Sequence, residues 1–333
     1  MDPLTQGVLG AALSLSASKA RQLKVAAALG ALSGMAPDLD VLISSSQDPL
    51  LFLEFHRQFT HSLLFIPIGS FICALFLHFI FAKRYGLNFR QSWFCCALGY
   101  GIHALLDACT SYGTQLLWPI SDERFAWNII SVIDPLFTLP LLALVALAIW
   151  THKLKFAHCA MSWLAIYLVF GLVQKERAEA VGWQLAEERE HVPKVLDVKP
   201  TLANLLVWKV VYEADDKYYV DAVRVGVEVD IFHGESTAKL DLARDFPWLT
   251  HDSQQFKDVA RFSRFSNGFL AQDPSNAERI IDVRYSMIPN EFSALWSIEL
   301  SSLASSDAHV VYVVDRDNSP MARQKFVDML MAR

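Results

Sequence analysis

Three groups of residues in this 333-residue chain have the types and spacing that metal chemistry uses: two carboxylates one residue apart in Pro37-Asp38-Leu39-Asp40, two imidazoles at His56 and His61, and His103 with Asp107. A carboxylate pair of this kind can bind one metal ion or bridge two, and it can equally be a polar loop or a helix-dipole cap. On one helix His56 and His61 diverge by about 140°, so joint ligation requires a bend or a helix start between them. A cap at Thr60 or Ser62 would provide that start; otherwise the two are interfacial polarity. His103 and Asp107 are four apart on a predicted helix and share a face, as two ligands, as a histidine oriented by its carboxylate, or as a polar contact between helices. The stretch 110–115, with Thr110, Gly113 and Thr114, adds hydroxyls and a flexible glycine beside that pair. Asp134-Pro135 opens an apolar segment, where the carboxylate is either a ligand or a cap.

The elements that must position these groups divide the chain in two. Residues 1–174 hold 19 charged side chains, about 11%, and residues 175–333 hold 45, about 28%. The first half reads as an α-helical membrane domain of about six helices, the second as a small soluble α+β domain. The apolar runs are 4–18, 25–36, 62–82, 92–107, 133–150 and 158–174; the first two are rich in small residues, which lets a helical hairpin pack closely. Eight Lys and Arg fall in the turns 19–24, 83–91 and 151–157, against only Arg57 and Arg124 in the opposite loops. Basic turns stay cytoplasmic, so the carboxyl-terminal domain and the Asp and His cluster are expected on the extracytoplasmic face of a multi-pass protein. Ionisable groups near hydrocarbon cost several kcal/mol unless paired or metal-bound, so eight of them converging on one membrane face (with Asp2 and Asp134 included) mark a functional site. After residue 174 a charged helix over 175–191 leads to strands at 205–213, 218–232, 279–288, 295–300 and 309–315, with helices over 253–265 and 321–331.

Composition excludes several classes. A purely soluble enzyme and a disordered chain do not fit 53% hydrophobic residues, and the net charge of −7 in the second half excludes a nucleic-acid binder. All five cysteines lie in or beside apolar segments, so any metal must use imidazole and carboxylate, which suit zinc or manganese rather than a thiolate site. The acidic amino terminus, with its basic cluster after the first apolar run, is not read as a cleavable signal peptide.

The opening MDPLTQGVLGAAL, then PDLD, HRQFTHS, HALLDACTSYGTQLLWP and IDPLF, resembles the YdjM-like, LexA-regulated, membrane-bound metal-dependent hydrolases of bacterial inner membranes, over about residues 1–150. The resemblance implies a metal site of Asp38, Asp40, His56, His61, His103 and Asp107, holding one to three zinc ions, with manganese as the alternative. Gln6 stands where the family often has a histidine, which leaves it to hold a water or substrate oxygen. A remoter similarity to zinc-dependent phospholipase C and single-strand nucleases implies phosphoester hydrolysis by metal-activated water. On this reading Asp40 and Asp107 are the carboxylates serving catalysis, Gln6, Arg57, Thr114 and Asp134 face the substrate, and a membrane lipid or lipid-linked molecule reaches the site by lateral diffusion. A metal- or proton-coupled transporter would carry polar residues at several depths, and a membrane-anchored binding protein with a structural metal is the third reading. The resemblance does not account for residues 175–333.

Overall fold

Helix starts in the first half are written locally. In the computed structural model, which describes residues 1–317 and 319–333, Asp2 accepts the backbone N–H of Thr5 at 3.0 Å and Pro3 opens α1 (Pro3–Ser16). Helix α2 (Leu23–Met35) is followed by a 3₁₀ turn, Pro37–Leu42. After α3 (Leu51–Phe55) and a 3₁₀ turn at Phe59–His61 come α4 (Ile66–Ile80) and α5 (Phe89–Ala108), the latter begun by a capping box between Asn88 and Gln91. Asp134 caps α6 (Pro135–Thr151), and α7 runs unbroken over Lys155–Glu188, joining the sixth apolar run to the charged helix behind it.

The chain forms two compact units. The first comprises Met1–Ile43, Phe55–Val173 and Leu202–Asn204; the second comprises Ser44–Glu54, Gln174–Thr201 and Leu205–Arg333. In the first unit α1, α2 and α5 meet where Gly10, Gly30 and Gly99 face one another's backbones, so a methyl group at Gly30 would overlap the Gly10 carbonyl oxygen and the Ser14 hydroxyl. Val25, Ala26, Leu29, Ala74, Cys95 and Cys96 form a buried cluster beside this contact. Helices α4, α6 and α7 instead turn large apolar side chains outwards: Phe76 is 62% exposed, Ile80 60%, Leu136 66% and Ile166 63%. An apolar surface of that extent belongs in lipid. By length and composition Leu23–Leu42 and Lys155–Glu188 are able to cross a bilayer. The run 62–82, read from the sequence as one clean span, is instead the later arm of a pair, Leu51–His61 and Ile66–Ile80, bent by 83°. If that pair counts as one span there are three candidate spans among the described residues, and α6, at 17 residues, is shorter than a full crossing.

The second unit carries two antiparallel four-stranded sheets. Strands β1 (Val195–Pro200), β2 (Val207–Ala214), β3 (Lys217–Val225) and β4 (Val229–Ala238) are neighbours in chain order, as are β5 (Leu270–Asp273), β6 (Asn276–Asp282), β7 (Trp296–Glu299) and β8 (Val311–Val314). Val211, Tyr218 and Val220 of the first sheet share a buried cluster with Ala271 and Ile281 of the second, so the sheets enclose a common core. Strand β2 is buried along its whole length. The expectation of about six helices is corrected: the described residues form ten, α8 (Leu242–Asp245), α9 (Gln254–Phe265) and α10 (Pro320–Met331) completing the set. Counting apolar runs missed α3, whose five residues LFLEF form no long run; in the second half α9 and α10 match the helices expected over 253–265 and 321–331, and only the four-residue α8 was not expected. The strand expected over 218–232 divides into β3 and β4 around a turn at Gly226.

Candidate metal centre

Pro37 follows the end of α2 and the chain tightens into three residues per turn, so Asp38 and Asp40 point in different directions. Asp38 turns towards α5, where His103 and Asp107 lie one helical turn apart, and His61 arrives from the turn before α4. One donor atom from each of Asp38, His61, His103 and Asp107 lies within 4.8 Å of every other.

The geometry around these atoms fixes what they can do. His103 Nδ1 sits 2.5 Å from the carbonyl oxygen of Gly34, an acceptor only, so Nδ1 carries the proton and Nε2 presents a lone pair. His61 Nδ1 faces Thr60 Oγ1 at 2.9 Å and Asp40 Oδ2 at 3.2 Å, which by the same logic frees its Nε2. The two Nε2 atoms are 2.8 Å apart. Asp107 Oδ2 lies 3.3 Å from His61 Nε2 and 3.5 Å from His103 Nε2, and Asp38 Oδ1 lies 3.6 and 3.4 Å from them. Four lone-pair donors facing one another repel unless a cation or proton stands among them. Around a zinc ion with ligand distances of about 2.0–2.1 Å, tetrahedral ligand atoms are roughly 3.3 Å apart, close to the nitrogen–oxygen separations here. Among the described residues no aligned hydrogen bond reaches the buried Asp107 Oδ2, which leaves it open to an ion.

Neighbours hold the donors in place. Gln6 Nε2 donates to Asp107 Oδ1 at 2.8 Å and the α-amino group of Met1 pairs with the same oxygen, which leaves Oδ2 for the cluster. Arg57 Nε lies 3.0 Å from Oδ2 but is not aligned as a hydrogen bond; its Nη1 donates to Thr110 Oγ1 at 3.0 Å and its guanidinium carbon lies 4.8 Å from the centre of the Tyr112 ring. Arg57 takes a left-handed backbone conformation, φ +62°. Both of its main-chain groups hold it there: the N–H donates to Asp40 Oδ2 at 2.9 Å, and the carbonyl accepts from the Gln115 N–H at 2.9 Å.

Of the six residues the resemblance assigns to the metal, the structure thus gathers four around one point and sets two beside them. The carboxylate of Asp40 is occupied by His56 Nδ1 at 2.7 Å, the Arg57 N–H and the Thr60 hydroxyl at 2.9 Å, and His61 Nδ1. His56 and His61 do straddle a bend, but their rings are 6.1 Å apart and His56 is spent on Asp40. Thr114 is buried and pairs through its backbone with Phe125. Asp134 accepts from the Phe137 N–H and from the Tyr167 hydroxyl, the latter at 2.8 Å, a capping role. Thr60, named from the sequence only as a candidate helix cap, instead meets Asp40 and His61, and the Gly34 carbonyl had no sequence signal; both act through placement that only the fold supplies. Tyr100 completes the set, its hydroxyl donating to the Thr60 carbonyl at 2.8 Å.

A model of the YdjM inner membrane protein family matches residues 1–178, more than half of the chain and every residue of the cluster. The chain belongs to the YdjM family. It is also similar to "Uncharacterized protein YfhP" of Bacillus subtilis (strain 168), 24% identical over 260 residues that cover 75% of this chain and 74% of that protein. A second relative, "Inner membrane protein YbcI" of Escherichia coli (strain K12), is 34% identical over 107 residues, 31% of this chain and 60% of that protein. No solved structure matches the chain. Because 260 aligned residues exceed the 178 of the YdjM match, the likeness to YfhP includes part of the carboxyl-terminal half.

Proposed function

We propose that this YdjM-family protein is a membrane-bound metal-dependent hydrolase acting on a phosphoester or lipid-like substrate. The observation that carries the proposal is the convergence of Asp38, His61, His103 and Asp107 on one point, with the Nε2 atoms of both imidazoles facing inwards 2.8 Å apart and a buried carboxylate oxygen beside them that no aligned hydrogen bond from the described residues reaches. A zinc ion held there would supply Lewis acidity, lowering the pKa of water toward ~7 and polarising a phosphoryl or acyl oxygen.

The chain's own residues do the rest. Asp40 orients His61, Gln6 turns Asp107, and the Arg57 guanidinium places a fixed positive charge beside the carboxylates, where charge develops when a phosphoester is attacked. Asp38 is the ligand at the open edge: its side chain is 16% exposed, whereas those of His61, His103 and Asp107 are fully buried. His56, 18% exposed and held by Asp40, stands at the same edge as a group able to exchange protons with solvent. In the topology read from the basic turns, the protein crosses the inner membrane several times with this edge extracytoplasmic, within reach of lipid head groups.

A structural metal is the second reading, favoured by the number of protein donors, since four ligands close a tetrahedral zinc site. One experiment separates the two. Protein purified in detergent is analysed for metal and assayed on phospholipids and a nitrophenyl phosphodiester, alongside Asp107→Asn. Metal-dependent cleavage that this variant loses while staying folded supports the hydrolase. A metal-loaded wild type that cleaves nothing, and that unfolds on chelation, leaves the structural ion.

A further inference from the structure

The segments that carry two of the four clustered residues, Asp38 and His61, are joined by an eleven-residue connector, Ser44–Glu54, that folds as part of the second unit. Asp38 and Asp40 lie just before it, and His56 and His61 just after it. The connector is firmly seated. Arg261 of α9 reaches Asp48 through two parallel hydrogen bonds of 2.9 and 2.8 Å, Glu54 at 2.7 Å and, on its own helix, Asp258 at 2.9 Å. The Phe52 ring packs edge-on against Tyr312 with centroids 5.2 Å apart, and Leu50 and Leu53 are buried. A guanidinium serving three carboxylates in a partly buried position is worth more than an exposed ion pair, because its fork geometry binds in a fixed direction.

We infer that Arg261 is a positioning residue for the metal centre: by seating the connector, the carboxyl-terminal half sets the separation of Asp38 from His61. Both ends of the connector are covalently committed to ligands, with Ile43 five residues beyond Asp38 and Phe55 six residues before His61. Asp40 then pins the returning strand to the outgoing one, through His56, the Arg57 N–H and Thr60. Freeing the connector loosens this clasp and admits a wider range of ligand separations, which lowers affinity for an ion of fixed radius. The inference assigns residues beyond 174 a part in a site whose ligands all precede residue 108, and it rests on reading Asp38, His61, His103 and Asp107 as metal ligands.

The test is cobalt titration of full-length, metal-stripped protein in detergent, reading both the dissociation constant and the visible d–d spectrum of bound Co²⁺. Arg261→Gln should weaken binding about tenfold and shift the spectrum, as loss of an outer support to a metal site does. Arg261→Lys should restore part of each, and Asp48→Asn should move both in the same direction as Arg261→Gln. A residue serving only the stability of the second unit would leave the spectrum of the bound ion unchanged. Wild-type affinity and spectrum in both Arg261→Gln and Asp48→Asn overturn the inference; should Arg261→Gln not fold, Asp48→Asn decides alone. A wild type that takes up no cobalt, like a His61→Ala control, overturns the metal reading itself and this inference with it.

Discussion

Asp40→Asn separates a residue that orients a ligand from one that binds the metal. The Asp40 carboxylate is fully buried and meets four donors: His56 Nδ1 at 2.7 Å, the Arg57 N–H and Thr60 Oγ1 at 2.9 Å, and His61 Nδ1 at 3.2 Å. An asparagine has one carbonyl oxygen and one NH₂. Its NH₂ cannot face the Arg57 N–H, so it must turn towards His56, whose Nδ1 can become an acceptor by changing tautomer. The oxygen then keeps three partners without its charge. Hydrogen bonds to charged groups contribute about 1.5–3 kcal/mol and neutral ones about 0.5–1.5, so three bonds losing roughly 1 kcal/mol each lower folding stability by about 3 kcal/mol. Only the His61 bond is coupled to the metal, and its weakening should reduce zinc affinity about tenfold, the lower end of what outer-shell changes do. Thermal unfolding in detergent reads the first effect and competition against a zinc chelator the second. If Asp40→Asn removes zinc as completely as Asp38→Asn, Asp40 is itself a ligand; if it binds zinc as the wild type does, Asp40 does not orient His61.

Other expectations can be measured in the same preparation. His61→Ala and His103→Ala should each lower metal content while His251→Ala, whose imidazole packs on the Phe256 ring far along the sequence from the cluster, should not; equal content in all three removes the ligand assignment. Gly30→Ala should destabilise the first unit by about 1–3 kcal/mol through overpacking against α1, whereas Gly101→Ala, whose added methyl would find nothing nearer than an Ile66 carbon at 3.6 Å, should be close to neutral; similar melting temperatures for the two would refute the glycine contact. In the second unit, burial pushes the Lys209 ammonium down to about 7, against the opposing pull of Asp282, Glu291 and Glu235. Between about pH 7 and pH 10 the unfolded chain therefore holds a proton that the folded one has released, so stability should rise with pH across that window by up to a few kcal/mol. Urea unfolding at pH 7 and pH 9 should show the rise in the wild type and a smaller one in Lys209→Met; identical slopes would mean that Lys209 is not the source.

Much of this arrangement was legible in the residues, because ligand chemistry is written in side-chain type. The clustering of His and Asp at the ends of apolar runs picked out eight groups, Asp38, His61, His103 and Asp107 among them, and the four-residue spacing of the α5 pair placed two of these on one face. What spacing left undecided was which polar atoms meet the ion and which meet each other. Asp38 and Asp40 are indistinguishable as sequence; the 3₁₀ turn after Pro37 sends one towards α5 and the other towards the Arg57 backbone. Asp134 is balanced between ligand and cap on sequence grounds, and the Tyr167 hydroxyl and the Phe137 N–H that occupy it decide for the cap. The two histidines called for a bend between them, but hydropathy, which measures the apolar run over 62–82, did not show that a 3₁₀ turn at Phe59–His61 comes first and the helix begins only at Ile66.

The glycine contact in the first unit and the chemistry of the cluster are parts of one mechanism. His103 presents Nε2 to its neighbours only while Nδ1 is committed elsewhere, and its partner is the main-chain oxygen of Gly34 at 2.5 Å rather than a side chain. A carbonyl on α2 can approach an imidazole on α5 that closely only if the two helices nearly touch. They do so at Gly30 and Gly99, where a methyl group on Gly99 would meet the Gly30 carbonyl oxygen and the Ser33 hydroxyl. One turn further along each helix the same separation brings Gly34 to His103. Small residues that a lipid-exposed bundle uses for association thus also set a tautomer. This explains why the first two apolar runs are rich in Gly, Ala and Ser although they supply no metal ligand from their interiors: their contribution to the site is distance, delivered through backbone atoms that any residue type possesses but that only glycine lets come so near.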